Sequence, residues 1–125
     1  MTRRTISVAV MVAAVCGLMA FAGIAGAAGG TPTKVTIRHQ QGGFFGFVKS
    51  DKPNKCSNNR KVILYKMKGD SPKPRNDAKL GNDVAQPNGD GYMWSINTKA
   101  HRGDFYARAR AIPGCQQDIS RVISL

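Results

Sequence analysis

The chain has 125 residues and a formal net charge of +12, from 19 Lys and Arg against 7 acidic residues, all of them Asp. That length suits one small domain. The charge points to anionic partners, and three cysteines with two histidines leave little material for a structural metal site.

In chain order, Arg3 and Arg4 precede an uncharged apolar run from Ile6 to Ile24, which ends in the small residues Gly23 to Ala28. A charged start, an apolar middle and an Ala-x-Ala end predict a helical secretory signal peptide over residues 1–27, cut after Ala27 or Ala28. The run is close to bilayer-spanning length, but Gly17, Gly23 and the many alanines weaken it as an anchor. Val15 stands where lipid attachment at Cys16 needs a small residue. The expected product is exported, carries +10 and has no transmembrane helix after processing.

A flexible leader over 28–33 precedes the predicted domain, 34–125. Lys34 to Arg38 alternates polar and apolar residues as a half-buried strand does, and Phe44 to Val48 follows as a second, with Gly46 a bulge or close-approach point. Asp51 to Asn59 is turn chemistry and carries Cys56. Lys61 to Met67 is the most apolar stretch, a central strand with Val62 and Leu64 on one face and Ile63 and Tyr65 on the other. Lys68 to Lys79, with two prolines and no apolar period, is an exposed loop.

A short strand is expected from Leu80 to Gln86, ahead of the turn Pro87 to Gly91. Tyr92, Trp94 and Ile96 then share a face. Asp104 to Ala111 is another alternating strand, with Phe105, Ala107, Ala109 and Ala111 opposite Tyr106, Arg108 and Arg110. Ile119 to Leu125 is read as one final strand. Six or seven short strands separated by turns predict an all-β antiparallel sandwich, and no window outside the signal has a helical period.

With Cys16 removed, Cys56 and Cys115 are the remaining thiols, and in an oxidising compartment they are expected to form one disulfide. The closed loop of 60 residues makes that bond worth about 4 kcal/mol in the chain-entropy description.

The segments Phe45 to Ser50, Cys56, Arg60 to Tyr65, Asn88 to Trp94 and Gly103 to Ala107 together resemble transthyretin-like and carboxypeptidase-regulatory-like β-sandwich modules. The resemblance implies an Ig-like or transthyretin-like sandwich of about seven strands in a small secreted bacterial protein. It brings no catalytic residue, so an accessory, adhesive or structural role is expected rather than an enzyme. The chain departs from surface adhesins of that build in having no tandem modules.

His39 and His101 sit at a strand end and a turn, and neither belongs to a recognisable hydrolase motif. Asn88 to Gly91 partly matches a calcium loop, but Gln86 and Asn97 occupy the positions that need charged ligands. A hairpin turn is the better reading, with no metal and no cofactor. The charge is more informative. Lys66, Lys68, Lys73, Arg75 and Lys79 crowd one loop, and Arg108 and Arg110 project from one strand face. These seven residues are the candidate contacts for anionic envelope polymers or a membrane surface, with no specific nucleic acid partner. The alternative is a carbohydrate-binding or enzyme-accessory module with Tyr92 and Trp94 as an aromatic platform.

Overall fold

The computed structural model describes residues 29–125; the segment read as a signal peptide, its expected cleavage site and Cys16 lie outside the described residues. The alternating segments form ten strands: β1 (Thr33–Val35), β2 (Arg38–Gln40), β3 (Gly43–Ser50), β4 (Lys61–Lys66), β5 (Ala78–Val84), β6 (Gln86–Asn88), β7 (Gly91–Asn97), β8 (Asp104–Ala109), β9 (Asp118–Ile119) and β10 (Ile123–Ser124). One helical turn, α1 (Pro53–Cys56), interrupts them inside the segment read as turn. No helix among the described residues is long and apolar enough to cross a membrane.

Two antiparallel sheets result. The first runs β1-β3-β7-β6 with β2 also on β3, and the second runs β10-β8-β4-β5 with β9 also on β8. Their facing sides follow the period of two along each strand. Val35, Ile37, Phe44, Val48, Trp94 and Ile96 from the first meet Val62, Leu64, Ala85, Phe105, Ala107 and Ala109 from the second. Phe44 and Phe105 join the layers, their rings 4.8 Å apart and tilted by 40°. This is the expected all-β sandwich, held by the expected Cys56–Cys115 disulfide with Cα atoms 5.6 Å apart.

There are more strands than expected because Gln86–Asn88, read as a strand end and turn, pairs with β7 as β6, and because two predicted strands are split, each by a hydroxyl side chain that replaces a backbone acceptor. At residue 36, the Phe47 N–H donates to Thr36 Oγ1 (2.8 Å), which frees the Thr36 carbonyl to accept the indole Nε1–H of Trp94 (3.1 Å). At residue 120, the Ala107 N–H donates to Ser120 Oγ (2.9 Å). The predicted final strand is therefore two pieces, β9 and β10. Gly46 is the close-approach point: a Cβ there would lie 2.6 Å from the Thr36 carbonyl carbon and 2.8 Å from Trp94 Nε1.

The leader is shorter than expected. The Thr31 N–H donates to Gly114 O (2.8 Å) and the Thr31 carbonyl accepts from the Gln116 N–H (2.9 Å), so the fold takes hold of the chain beside the disulfide. The turn at Asn88 to Gly91 is the expected hairpin, with Asn88 opposite Gly91 and Gly89 at φ 61°.

Candidate functional site

The outward side of the second sheet is where the chemistry collects. Ile63 and Tyr65 on β4 and Tyr106 on β8 form a second apolar cluster there, with Met67, Ile119 and Val122 packed on it. The Tyr65 and Tyr106 rings stack at 5.0 Å and 11°. The loop after β4 folds back over them because Asp77 anchors it. Its carboxylate accepts the Tyr106 hydroxyl (2.6 Å), the Lys73 N–H (2.7 Å) and the Lys68 N–H (3.0 Å).

Burial by itself would raise the Asp77 pKa, but those three donors, Tyr106 foremost, outweigh it and hold the carboxyl below its ordinary value. The Tyr106 hydroxyl is pushed up, first by burial and then by that carboxylate. Asp77 is therefore an anion turned inward. It positions basic neighbours without lining the surface they form.

Beside this anchor is a cleft of about 400 Å³ lined by Lys73, Pro74, Arg75, Asn76, Arg108, Gln117 and Ile119. The Arg108 guanidinium is held side-on, with Nε and Nη2 both donating to Gln117 Oε1 (3.1 and 3.0 Å). Its three remaining N–H groups are available to an acceptor in the cleft. Further along the same face, Lys61, Lys79 and Arg110 border a second hollow of about 460 Å³ with Ile63, Leu80, Gly81 and Asn82. No aspartate lines either hollow. Asp83 and Asp118 are likewise engaged by backbone, accepting from the Ser95 and Val35 N–H groups.

Five of the seven predicted basic residues are thus brought to one face: Lys73, Arg75, Lys79, Arg108 and Arg110. Lys66 and Lys68 line neither hollow. The stem of Lys66 runs over Gly103, where a Cβ would meet its Cε at 2.7 Å. Lys61 was not among the predicted contacts, although it shares the outward parity of Ile63 and Tyr65 along the same strand.

The aromatic platform is corrected. Trp94 is 0% exposed, in the core between the sheets, with its single N–H directed to the Thr36 carbonyl. A buried indole offers no face to a sugar ring. Tyr92 is half-buried, packs against the same core and donates to Asn54 Oδ1 (3.3 Å). The histidines are apart from both hollows: His39 lies against Phe44 at 5.1 Å and the His101 ring bonds the Lys99 carbonyl. No cluster of three metal-ligating side chains occurs among the described residues.

Arg60 had no place among the predicted contacts. It is 2% exposed, and four of its five N–H donors are engaged: Nη1 with Thr33 Oγ1 (3.2 Å) and Cys56 O (2.9 Å), Nη2 with Arg110 O (2.7 Å) and Gln116 O (2.8 Å). All four acceptors are neutral. Burial lowers the guanidinium pKa from its ordinary value. Compared with known proteins, the chain matches no family model, no curated protein and no solved structure.

Proposed function

We propose that this is an exported, non-catalytic binding protein whose second sheet carries an outward basic face for an anionic polymer. The observation that supports this reading is the convergence of Lys61, Lys73, Arg75, Lys79, Arg108 and Arg110 around two hollows that no carboxylate lines. Three of the seven aspartates, Asp77, Asp83 and Asp118, hold backbone N–H groups instead. Such a face attracts polyanions by releasing their counterions, and arginine forks suit phosphate and carboxylate groups. Export rests on the Arg3–Arg4 start and apolar run, and a disulfide that persists in an oxidising compartment agrees with it.

The test is binding to polyphosphate and to poly-glutamate across a salt series. If all six cations engage, log affinity should fall against log salt with a slope of up to about −4. Replacing Lys73, Arg75 and Arg108 together by Gln should weaken binding more than tenfold and flatten that slope by about half. Absence of binding at low ionic strength, or a triple variant that binds like the parent, overturns the proposal. Vesicles rich in phosphatidylglycerol serve as the comparison arm: tighter binding to them than to either polymer moves the partner from polymer to membrane.

A further inference from the structure

Arg60 raises a question that the basic face does not answer. A guanidinium buried this deeply normally sits against a carboxylate, because an uncompensated charge away from water is costly. Here its four hydrogen-bonded partners are a hydroxyl and three carbonyls. The fifth donor, Nε–H, has no partner at all. Arg60 forms one wall of a pocket of about 190 Å³ whose other walls are Lys61, Ile63, Arg110, Ala111 and Ile112. Ile112 is 40% exposed, one of few large apolar side chains left in water.

The pocket thus combines two features that rarely meet by accident. Of its six lining residues three are apolar and three are cationic, with no acid. An uncharged apolar guest would leave the buried guanidinium without a counterion. A bare inorganic anion would leave Ile63, Ala111 and Ile112 uncovered. A guest with one anionic head and a short apolar body satisfies both. About six groups the size of a water molecule fit the volume, enough for the head and the first carbons of a short chain whose end lies over the exposed Ile112.

We propose that this pocket binds a small amphiphilic anion, its carboxylate or phosphate head on Lys61 and Arg110 beside the buried Arg60 guanidinium and its apolar body against Ile63 and Ile112. The ion pair forms where water is displaced, so the head gains more there than on the open face. The site shares Lys61, Ile63 and Arg110 with the larger hollow but does not depend on the polymer reading.

The test uses protein expressed from the full chain with its disulfide intact, followed by NMR at the Arg60 Nε–H, whose burial slows its exchange with water. The probes are hexanoate, hexyl phosphate, acetate and hexanol. Hexanoate or hexyl phosphate should shift that resonance saturably, and the tighter of the two identifies the preferred head. Acetate should bind at least tenfold more weakly, and hexanol should leave the resonance in place.

Ile112→Ser, at an exposed position, should weaken hexanoate at least fivefold and leave acetate and polyphosphate binding unchanged. An Arg60 resonance unmoved by either amphiphile overturns the proposal without bearing on the polymer face. So does a response to hexanol equal to that to hexanoate, or an Ile112→Ser protein that binds hexanoate like the parent. The titration of the unsubstituted protein decides the matter even if the variant does not fold.

Discussion

Replacing Gly46 by Ala tests how the two halves of the first sheet are locked to the core. The new methyl would lie 2.6 Å from the Thr36 carbonyl carbon and 2.8 Å from Trp94 Nε1, and the backbone side of that contact cannot swing away as a side-chain tip would. To admit it, the chain at Thr36 must move outward, which breaks the bond from Trp94 Nε1 (3.1 Å) and disturbs the bond from the Phe47 N–H (2.8 Å). Overpacking costs roughly 1–3 kcal/mol, and a buried indole N–H without an acceptor roughly 1–3 kcal/mol more. The expected loss is about 2–6 kcal/mol, a large share of the 5–15 kcal/mol typical of a domain.

Urea unfolding followed by tryptophan fluorescence suits the question, because Trp94 is the only tryptophan of the chain. A loss near 3 kcal/mol lowers the midpoint by about 1–3 M at the usual slopes. The slope itself should stay unchanged. The native emission should also shift, because the indole loses its acceptor. A midpoint within about 0.3 M of the parent, with the same emission, would show that the Thr36 carbonyl yields without cost, and the locking role would be refuted.

Three further outcomes are expected. Replacing both Cys56 and Cys115 by Ser should cost about 4 kcal/mol, read as a fall in melting temperature of roughly 15–30 °C; a fall of only a few degrees contradicts the staple. Asp77→Asn should destabilise the protein by about 1–3 kcal/mol at pH 7. Because the folded carboxyl lies below its ordinary value of 3.8, its contribution is fully present above about pH 5 and disappears as pH falls through the folded pKa. Urea midpoints of parent and variant should therefore draw together as pH falls below the ordinary 3.8, and a gap independent of pH counts against the anchor. Ser120→Ala should cost about 1–2 kcal/mol and make the Ala107 amide one of the faster-exchanging amides of β8; retained protection there would mean another group accepts that N–H.

How far the sequence carries can be judged at particular residues. Parity along Lys61 to Lys66 and Asp104 to Ala109 places Val62, Leu64, Phe105 and Ala107 inward and Arg108, with Arg110 just past the strand end, outward, because side-chain direction in a strand has a period of two. Gly46 was legible as a close approach from its place among aromatics. The splits at Thr36 and Ser120 were not, since a hydroxyl replaces a backbone acceptor only when a particular partner strand presents its N–H. Trp94 shares its parity with Ile96, which left both platform and core open; the facing sheet decided for the core.

Arg60 is the hardest case. Its acceptors come from residues 33, 56, 110 and 116, so nothing local distinguishes it from the exposed cations around it. The gathering of Lys73, Arg75 and Arg108 depends in the same way on Asp77 reaching Tyr106, 29 positions away.

The hold on Thr31 beside Cys115 bears on the order in which the molecule assembles. Thr31 bonds to Gly114 and Gln116, and the Val35 N–H reaches the Asp118 carboxylate, 83 positions away. The first strand to be synthesised therefore has to wait for nearly the last residues before those contacts can form. A nascent chain lacking residues past 113 can form neither the disulfide nor the Thr31 bonds, and contacts this distant in sequence fold slowly. The β3–β7 and β4–β8 pairings need nothing beyond Ala109, so what waits for residues 114–118 is the docking of the Thr31 to Val35 segment and the disulfide that locks it.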